Sequence, residues 1–195
     1  MKTIFWDADD VLFPLMELWL KDWKSKNPNK TISFSQITVN PPHALLSITL
    51  NNYLKDLDRF RLSSVCIQAQ PYTGLREWFR QNGRYFHHAI ITQRSMQTIP
   101  PLASWIFTHF GNWIRSFYFI PAARSRQNNL IYDEDKATLL KRLNLADYFI
   151  DDDPRNIATA QKVGIKSLLF PQPWNHSKMN HAKFIENLTT FLEKH

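Results

Sequence analysis

The sequence predicts an α/β protein: a doubly wound parallel sheet covered on both faces, with a small block of helix inserted after the first strand. Three observations carry this. From residue 71 onward, short β-leaning apolar runs alternate with amphipathic helical patterns, as parallel strands joined by crossover helices require. Between residues 15 and 68 no strand pattern occurs, and apolar residues recur only at helical spacing. Two apolar runs, at 3–6 and 148–150, each end in a row of acids: Asp7-Ala8-Asp9-Asp10 and Asp151-Asp152-Asp153. The carboxyl ends of strands are where open α/β sheets bind ligands.

Taken in order, residues 3–6 are apolar and β-leaning, a buried strand. Residues 15–26 place Leu15, Leu18, Trp19 and Trp23 on one helical stripe with lysines opposite, and Asn27-Pro28-Asn29 ends that helix. Residues 35–39 are irregular or a short turn. After Pro41-Pro42, apolar residues from Leu45 to Leu57 predict a helix over about 44–59 that continues toward Cys66. Pro71-Tyr72-Thr73-Gly74 is a turn. Residues 75–81 form a helix stopped by Asn82-Gly83, and 86–91 a strand ending at Thr92. Pro100-Pro101 suits the first turn of a helix that runs to Phe110 and stops at Gly111. There follow a strand at 117–120 closed by Pro121, a helix at 135–143, the strand at 148–150 and a helix at 154–163. Asp153 is its N-cap and Pro154 its first residue. A strand at 167–170 and a helix at 178–193, with Met179, Phe184, Ile185 and Leu188 on its apolar side, complete the chain. The predicted organisation is a core of residues 1–14 and 69–195, with residues 15–68 as a helical insertion over the carboxyl ends of the strands.

The 195 residues suffice for one domain with a real core plus a small insertion. An apolar share of 44% without low-complexity segments excludes wholesale disorder. Four glycines leave little room for a Gly-rich phosphate loop. One cysteine, Cys66, excludes an internal disulfide and fits a reducing cytoplasm; nothing around it resembles a nucleophile site, so it reads as a core residue. There is no apolar signal region with a small-residue cleavage site, and the run at 11–20 is broken by Pro14 and Glu17, short of the roughly 20 residues a membrane span needs. The expectation is a cytoplasmic protein without a membrane partner; the oligomeric state is left open. The net charge of +7 concentrates in residues 71–130, where Arg76, Arg80, Arg84, Arg94, Arg115, Arg124 and Arg126 face one acid, Glu77. Such a stretch suits an anionic substrate or nucleic acid; the plainer alternative is a solvated helix surface.

Three adjacent carboxylates repel one another unless a cation sits among them, so the two acidic clusters are read as converging on one divalent cation. Four features then fall in order: Asp7-x-Asp9; Thr92 after Ala89-Ile90-Ile91; Lys136; and Asp151-Asp152 with Asn156 four residues beyond Asp152. This order and context resemble the haloacid dehalogenase (HAD) superfamily of phosphohydrolases, over roughly residues 1–14 and 69–172. No single motif is specific; the four together are.

The resemblance implies a Rossmann-like core with a small helical cap, a magnesium ion and an aspartyl-phosphate intermediate. Asp7 is the implied nucleophile. The implied metal ligands are the Asp7 side chain, the Asp9 backbone carbonyl and Asp152, with Asp151 supporting the ion through water and Asn156 orienting this shell. Asp9 is the implied general acid and then base. Thr92 is implied to bind a phosphoryl oxygen, and Lys136, with Lys141 as the alternative, to neutralise Asp7 and the transferring group. An Asp at position 9 points to a phosphatase, because dehalogenases lack an acid there and cation pumps carry Thr. Arg94 is placed to reach a second anionic group. Asp10 stands where the family often has glycine, either as a turn residue or as an extra outer acid.

The expected function is therefore a magnesium-dependent phosphatase acting on a small phosphorylated metabolite such as a nucleotide or sugar phosphate. The alternatives are a nucleic-acid end-processing phosphatase and a non-enzymatic phospho-switch or binding protein. Trp19, Trp23 and Tyr53 either stack on a base or pack in the core. The histidines offer no metal site: His87 and His88 are adjacent in a strand and face opposite ways.

Overall fold

Five short strands carry the architecture because their side chains alternate between two apolar layers. In the computed structural model, which describes residues 1–123, 130 and 132–194, they are β1 (Thr3–Trp6), β2 (His87–Arg94), β3 (Ile114–Pro121), β4 (Tyr148–Asp151) and β5 (Lys166–Leu169). Arg124 and Arg126 of the basic stretch lie outside the described residues. All pairs are parallel, in the order β3-β2-β1-β4-β5. β1 is central, so Phe5 is paired on both sides, with Ala89 and Phe149. The helices are α1 (Leu15–Lys26), α2 (Leu50–Arg61), α3 (Ser64–Ile67), α4 (Thr73–Asn82), α5 (Ile99–Phe110), α6 (Lys136–Leu143), α7 (Pro154–Lys162) and α8 (His181–Lys194).

Ile4, Trp6, Ile90 and Ile150 point into one layer, where Phe79 of α4, Ile106 of α5 and Leu188 of α8 meet them. Phe5, Ile91 and Phe149 point into the other, under Leu139 and Leu140 of α6 and Ile157 and Ala160 of α7. Each fully buried large apolar side chain contributes about 1.5–3 kcal/mol, so a two-layer core of this size is the main stabilising term. Trp19, Tyr53, Leu57 and Phe60 of the helical segment 15–68 belong to the same continuous cluster as Trp6 and Phe79. Trp19 and Trp23 are buried, and Trp19 meets Tyr53 edge to face at 5.1 Å. Trp19 and Trp23 belong to the core, and Tyr53 packs in it.

Several boundaries differ from those predicted. α2 starts at Leu50, six residues later than its apolar spacing implies. Ser47 stands at φ 57°, which a helix interior does not accommodate, and Thr49 caps the helix by accepting from the Asn52 N–H at 3.2 Å. It does not run on to Cys66: Ser63 caps the separate short α3. β2 extends through Thr92 to Arg94. β3 opens at Ile114, because backbone pairing with β2 recruits the polar Arg115 and Ser116 ahead of the apolar run. α8 begins at His181, leaving Met179 exposed before it.

Under β1, the Trp6 indole N–H donates to His88 Nδ1 at 3.1 Å, and His88 Nε2 lies 2.9 Å from the Gly83 carbonyl. These partners require the neutral tautomer, with Nδ1 accepting and Nε2–H donating. Burial pushes the imidazole down to about 4 from 6.5. Between those values the unfolded chain holds a proton that the folded chain lacks, so stability falls as pH drops from 6.5 toward 4, by up to about 3 kcal/mol. Replacing His88 by Gln should flatten that loss: measured between pH 7 and 4.5, the thermal midpoint of the variant should fall less steeply than that of the wild type. Parallel slopes would show that His88 does not titrate in this way.

Candidate active site

β1 and β4 bring the two acidic clusters together. The Asp7 N–H donates to the Ile150 carbonyl at 2.8 Å, continuing the ladder by one residue. Asp7 and the last residue of β4, Asp151, thus emerge side by side at the carboxyl edge. Beyond Asp7 the chain turns sharply, with the Leu12 N–H on the Ala8 carbonyl at 3.0 Å. Asp10 takes the left-handed conformation at φ 57° and accepts the Met16 N–H on Oδ1 at 2.8 Å. That conformation favours glycine, and Asp tolerates it through such local hydrogen bonds. Asp10 is therefore a turn residue that leads the chain into α1.

Lys136, the first residue of α6 behind the N-cap Asp135, reaches in from the second layer. Its Nζ lies 2.9 Å from Asp7 Oδ2 and 2.7 Å from Asp151 Oδ2. Lys141 is exposed in the last turn of the same helix. Burial opposes the ammonium, but Asp151 and Asp7 outweigh it and hold the lysine above its ordinary value. Burial raises Asp7 to about 7; Lys136 pulls the other way, and Asp151 and Asp9 add to the rise. Asn156, in the first turn of α7, donates to both oxygens of Asp151, at 3.2 and 3.1 Å. The Asp153 N–H donates to Asp151 Oδ1 at 2.8 Å, and the Asp153 side chain caps α7.

Asp152 is fixed from elsewhere. The strap after β5 places the Trp174 indole N–H 2.7 Å from Asp152 Oδ2 and the Asn175 amide 2.8 Å from the Asp152 carbonyl. In the same strap the Gln172 amide donates to the Asp10 carbonyl at 2.5 Å. Burial, then the charges of Asp151, Asp10 and Asp7, push the Asp152 carboxyl well above its ordinary value.

Asp9 meets two guanidiniums. Arg61, from the last turn of α2, donates from Nη2 to Asp9 Oδ2 at 2.6 Å, and its Nη1 lies 3.1 Å from Asp58. Arg94 donates from Nε to the same Asp9 oxygen at 3.1 Å and sets Nη2 3.0 Å from Oδ1. Burial pushes Asp9 up, but Arg94 and Arg61 outweigh it and hold the carboxyl below its ordinary value. Arg61, Trp174, Asn175 and Gln172 escape sequence reasoning because each acts on an acid far away in the chain, with no local pattern to announce it.

A cleft of about 190 Å³ runs between these groups, lined by the acids, Lys136, Arg61, Asn156, Gln93 and a wall of Leu15, Met16, Asn40, Tyr53 and Leu57. Thr92 is fully buried inside β2, one residue before Gln93. One carboxylate oxygen each from Asp7, Asp151 and Asp152 lies within 4.8 Å of the others. Hard oxygens in excess over nearby cations are the donor set that suits magnesium, so these residues fit the ion. A larger cavity of about 820 Å³ lies along β3 and α6. Its carboxylate, Asp133, is already paired with Arg142, whereas the two acidic clusters line the smaller cleft. Burial lifts the Cys66 thiol to about 11, so it stays protonated at neutral pH.

No family model and no curated protein matches the chain. Solved structures do, along nearly its whole length. A haloacid dehalogenase-like hydrolase from Streptococcus pneumoniae superposes with a TM-score of 0.65 at 14% identity, over 100% of this chain and 99% of that one. YfnB from Bacillus subtilis, described as a HAD-type hydrolase and solved bound to magnesium, gives 0.61 at 13% identity, over 98% of each chain. A HAD-superfamily hydrolase of subfamily IA from Geobacter sulfurreducens gives 0.54 at 16% identity, over 96% of each. The chain has the haloacid dehalogenase-like fold.

Proposed function

We propose that the protein is a magnesium-dependent phosphomonoesterase that acts through an aspartyl phosphate on Asp7. The observation that carries this reading is the buried Lys136 bridging Asp7 and Asp151 beside Asp152. A lysine held against a nucleophilic carboxylate supplies positive charge where phosphoryl oxygens arrive. Magnesium would be held by Asp7, Asp152 and the Asp9 carbonyl, with Asp151 in support, and would supply further neutralisation of phosphoryl charge. Asp7 attacks phosphorus, and the ester P–O bond breaks. Asp9, once released from Arg61 and Arg94 and protonated, gives its proton to the leaving oxygen. Asp9 then takes a proton from the water that attacks phosphorus, the bond to Asp7 breaks, and inorganic phosphate is released. Thr92 and Lys136 are proposed to hold the phosphoryl group, and residues 15–68 to act as the cap over the core of residues 1–14 and 69–195.

A small substrate is favoured over a nucleic-acid end. Arg84 precedes β2 and Arg115 opens β3, both at the amino edge of a parallel sheet whose carboxyl edge carries the acids. Arg80 is exposed and pairs with Glu77 at 3.3 Å. The arginine that does approach the acids, Arg94, is buried on Asp9. A cytoplasmic setting accords with the single buried thiol.

Asp7→Asn should lower magnesium-dependent phosphate release from small phosphomonoesters by at least about 1,000-fold; retained turnover would remove Asp7 as the nucleophile. Lys136→Met leaves Asp7 and Asp151 facing each other without a counter-charge. It should cost about 3–5 kcal/mol of stability without metal, and millimolar magnesium should restore part of the lost thermal midpoint. A midpoint in the variant equal to the wild type's would contradict this electrostatic role. Trp174→Phe keeps the packing but deletes the donor to Asp152. Magnesium affinity measured by calorimetry should weaken about 10–100-fold, and an unchanged affinity would make Trp174 merely structural.

A further inference from the structure

Arg61 is the cation that the helical segment 15–68 contributes to the cleft. Among the described residues, it and Lys136 are the cationic side chains that line it. Its side chain is only 8% exposed. Two of its nitrogens hold Asp9 and Asp58, and its Nε–H has no hydrogen-bond partner. Arg94, 2% exposed, stands behind with an Nη2 that meets Asp9 as a charge but forms no hydrogen bond; the fully buried Ser95 hydroxyl beside it in sequence is also unmatched. Buried donors are nearly always satisfied, so this corner has donor capacity to spare. It is also already shaped for a carboxylate, because that is what Asp9 presents to it.

Asp9 is poorly placed to serve a leaving oxygen while both guanidiniums hydrogen-bond its Oδ2 and Arg94 faces its Oδ1 as a charge. If it turns away, Arg61 and Arg94 lose their shared anion in a buried place, which is unfavourable unless another anion takes its position. Besides Arg61, segment 15–68 lines the cleft with Leu15, Met16 and Leu57 and with the polar side chains Asn40 and Tyr53; Arg61 is the charged group among them. The cleft is small, about 190 Å³, which favours a phosphate carrying a short substituent. We infer that the substrate is a short-chain phosphomonoester bearing a carboxylate, and that Arg61, backed by Arg94, binds that carboxylate in place of Asp9. The inference rests on the phosphatase reading for its chemistry, and narrows the substrate away from nucleotides and sugar phosphates.

The test compares 2-phospholactate with propane-1,2-diol 2-phosphate, which replaces the carboxylate by CH₂OH. Binding is measured by calorimetry with magnesium on Asp7→Asn protein, alone and combined with Arg61→Met or Arg61→Lys. Turnover of both esters is measured on the unaltered enzyme. The acid should be preferred by roughly 100-fold, the scale of a charge-assisted contact. Arg61→Met should bring the ratio close to one, whatever it does to both esters in common, and Arg61→Lys should retain part of it. No preference in the parent protein, or a preference that survives Arg61→Met, overturns the inference. Turnover of neither ester by the unaltered enzyme counts against the phosphatase reading, while the binding ratio still decides the carboxylate site.

Discussion

Too many carboxylates share one small buried space. Asp7, Asp10, Asp151 and Asp152 are buried, and Asp9 is nearly so, at the carboxyl edge of β1 and β4. An unpaired charge in such a place costs several kcal/mol, so cations have to be brought in, and they come from three separate elements. Lys136 arrives from α6 across one face of the sheet, Arg94 from the end of β2, and Arg61 from α2. The topology is what lets these meet. With β1 at the centre of the order β3-β2-β1-β4-β5, the loops after β1, β2 and β4 open onto one edge. Asp7, Asp151 and Asp152 share a single lysine, and the excess of acid there is the group of oxygens that could hold a divalent ion.

The strap from Phe170 to Asn175 shows how a second, weaker set of forces completes what charge alone leaves loose. A buried carboxylate with two free oxygens can rotate; one oxygen of Asp152 is held by the Trp174 indole and its carbonyl by Asn175. Gln172 holds the carbonyl of Asp10, whose left-handed backbone would otherwise be a soft point in the turn. A single short segment thereby ties the loop after β1 to the loop after β4. The indole is a donor only, so it can orient a carboxylate without competing for a metal.

Much of this was legible in the sequence. β1 and β4 were, because a short apolar run closed by acids has few other meanings in an alternating α/β pattern. Asp7, Lys136, Asp151, Asp152 and Asn156, which the sequence singled out, line one cleft. The start of α2 was not legible: Leu45, Leu46 and Ile48 have helical spacing, and nothing local announces the left-handed Ser47. Asp10 was ambiguous for the converse reason, since a left-handed Asp and an outer metal acid look alike until the Met16 hydrogen bond is seen. Arg94 was placed near an anion, but the anion it meets here is Asp9. Arg61 was invisible because its partner lies 52 residues away, and pairing across that distance depends on how α2 packs against the core.

The overall charge of +7 is, by contrast, a poor guide to the site. β2 is eight residues long, which at about 3.3 Å per residue separates its two ends by roughly 25 Å. The Debye length at physiological ionic strength is about 8 Å, so Arg84 and Arg115, at the amino edge, are about three screening lengths from the acids. Their field at the cleft is negligible beside that of cations in contact. What an anion arriving in the cleft meets is set by Lys136, Arg61 and Arg94, all buried and all weakly screened, against the neighbouring aspartates. The basic surface can raise encounter rates or solubility, but discrimination between substrates has to come from those few groups.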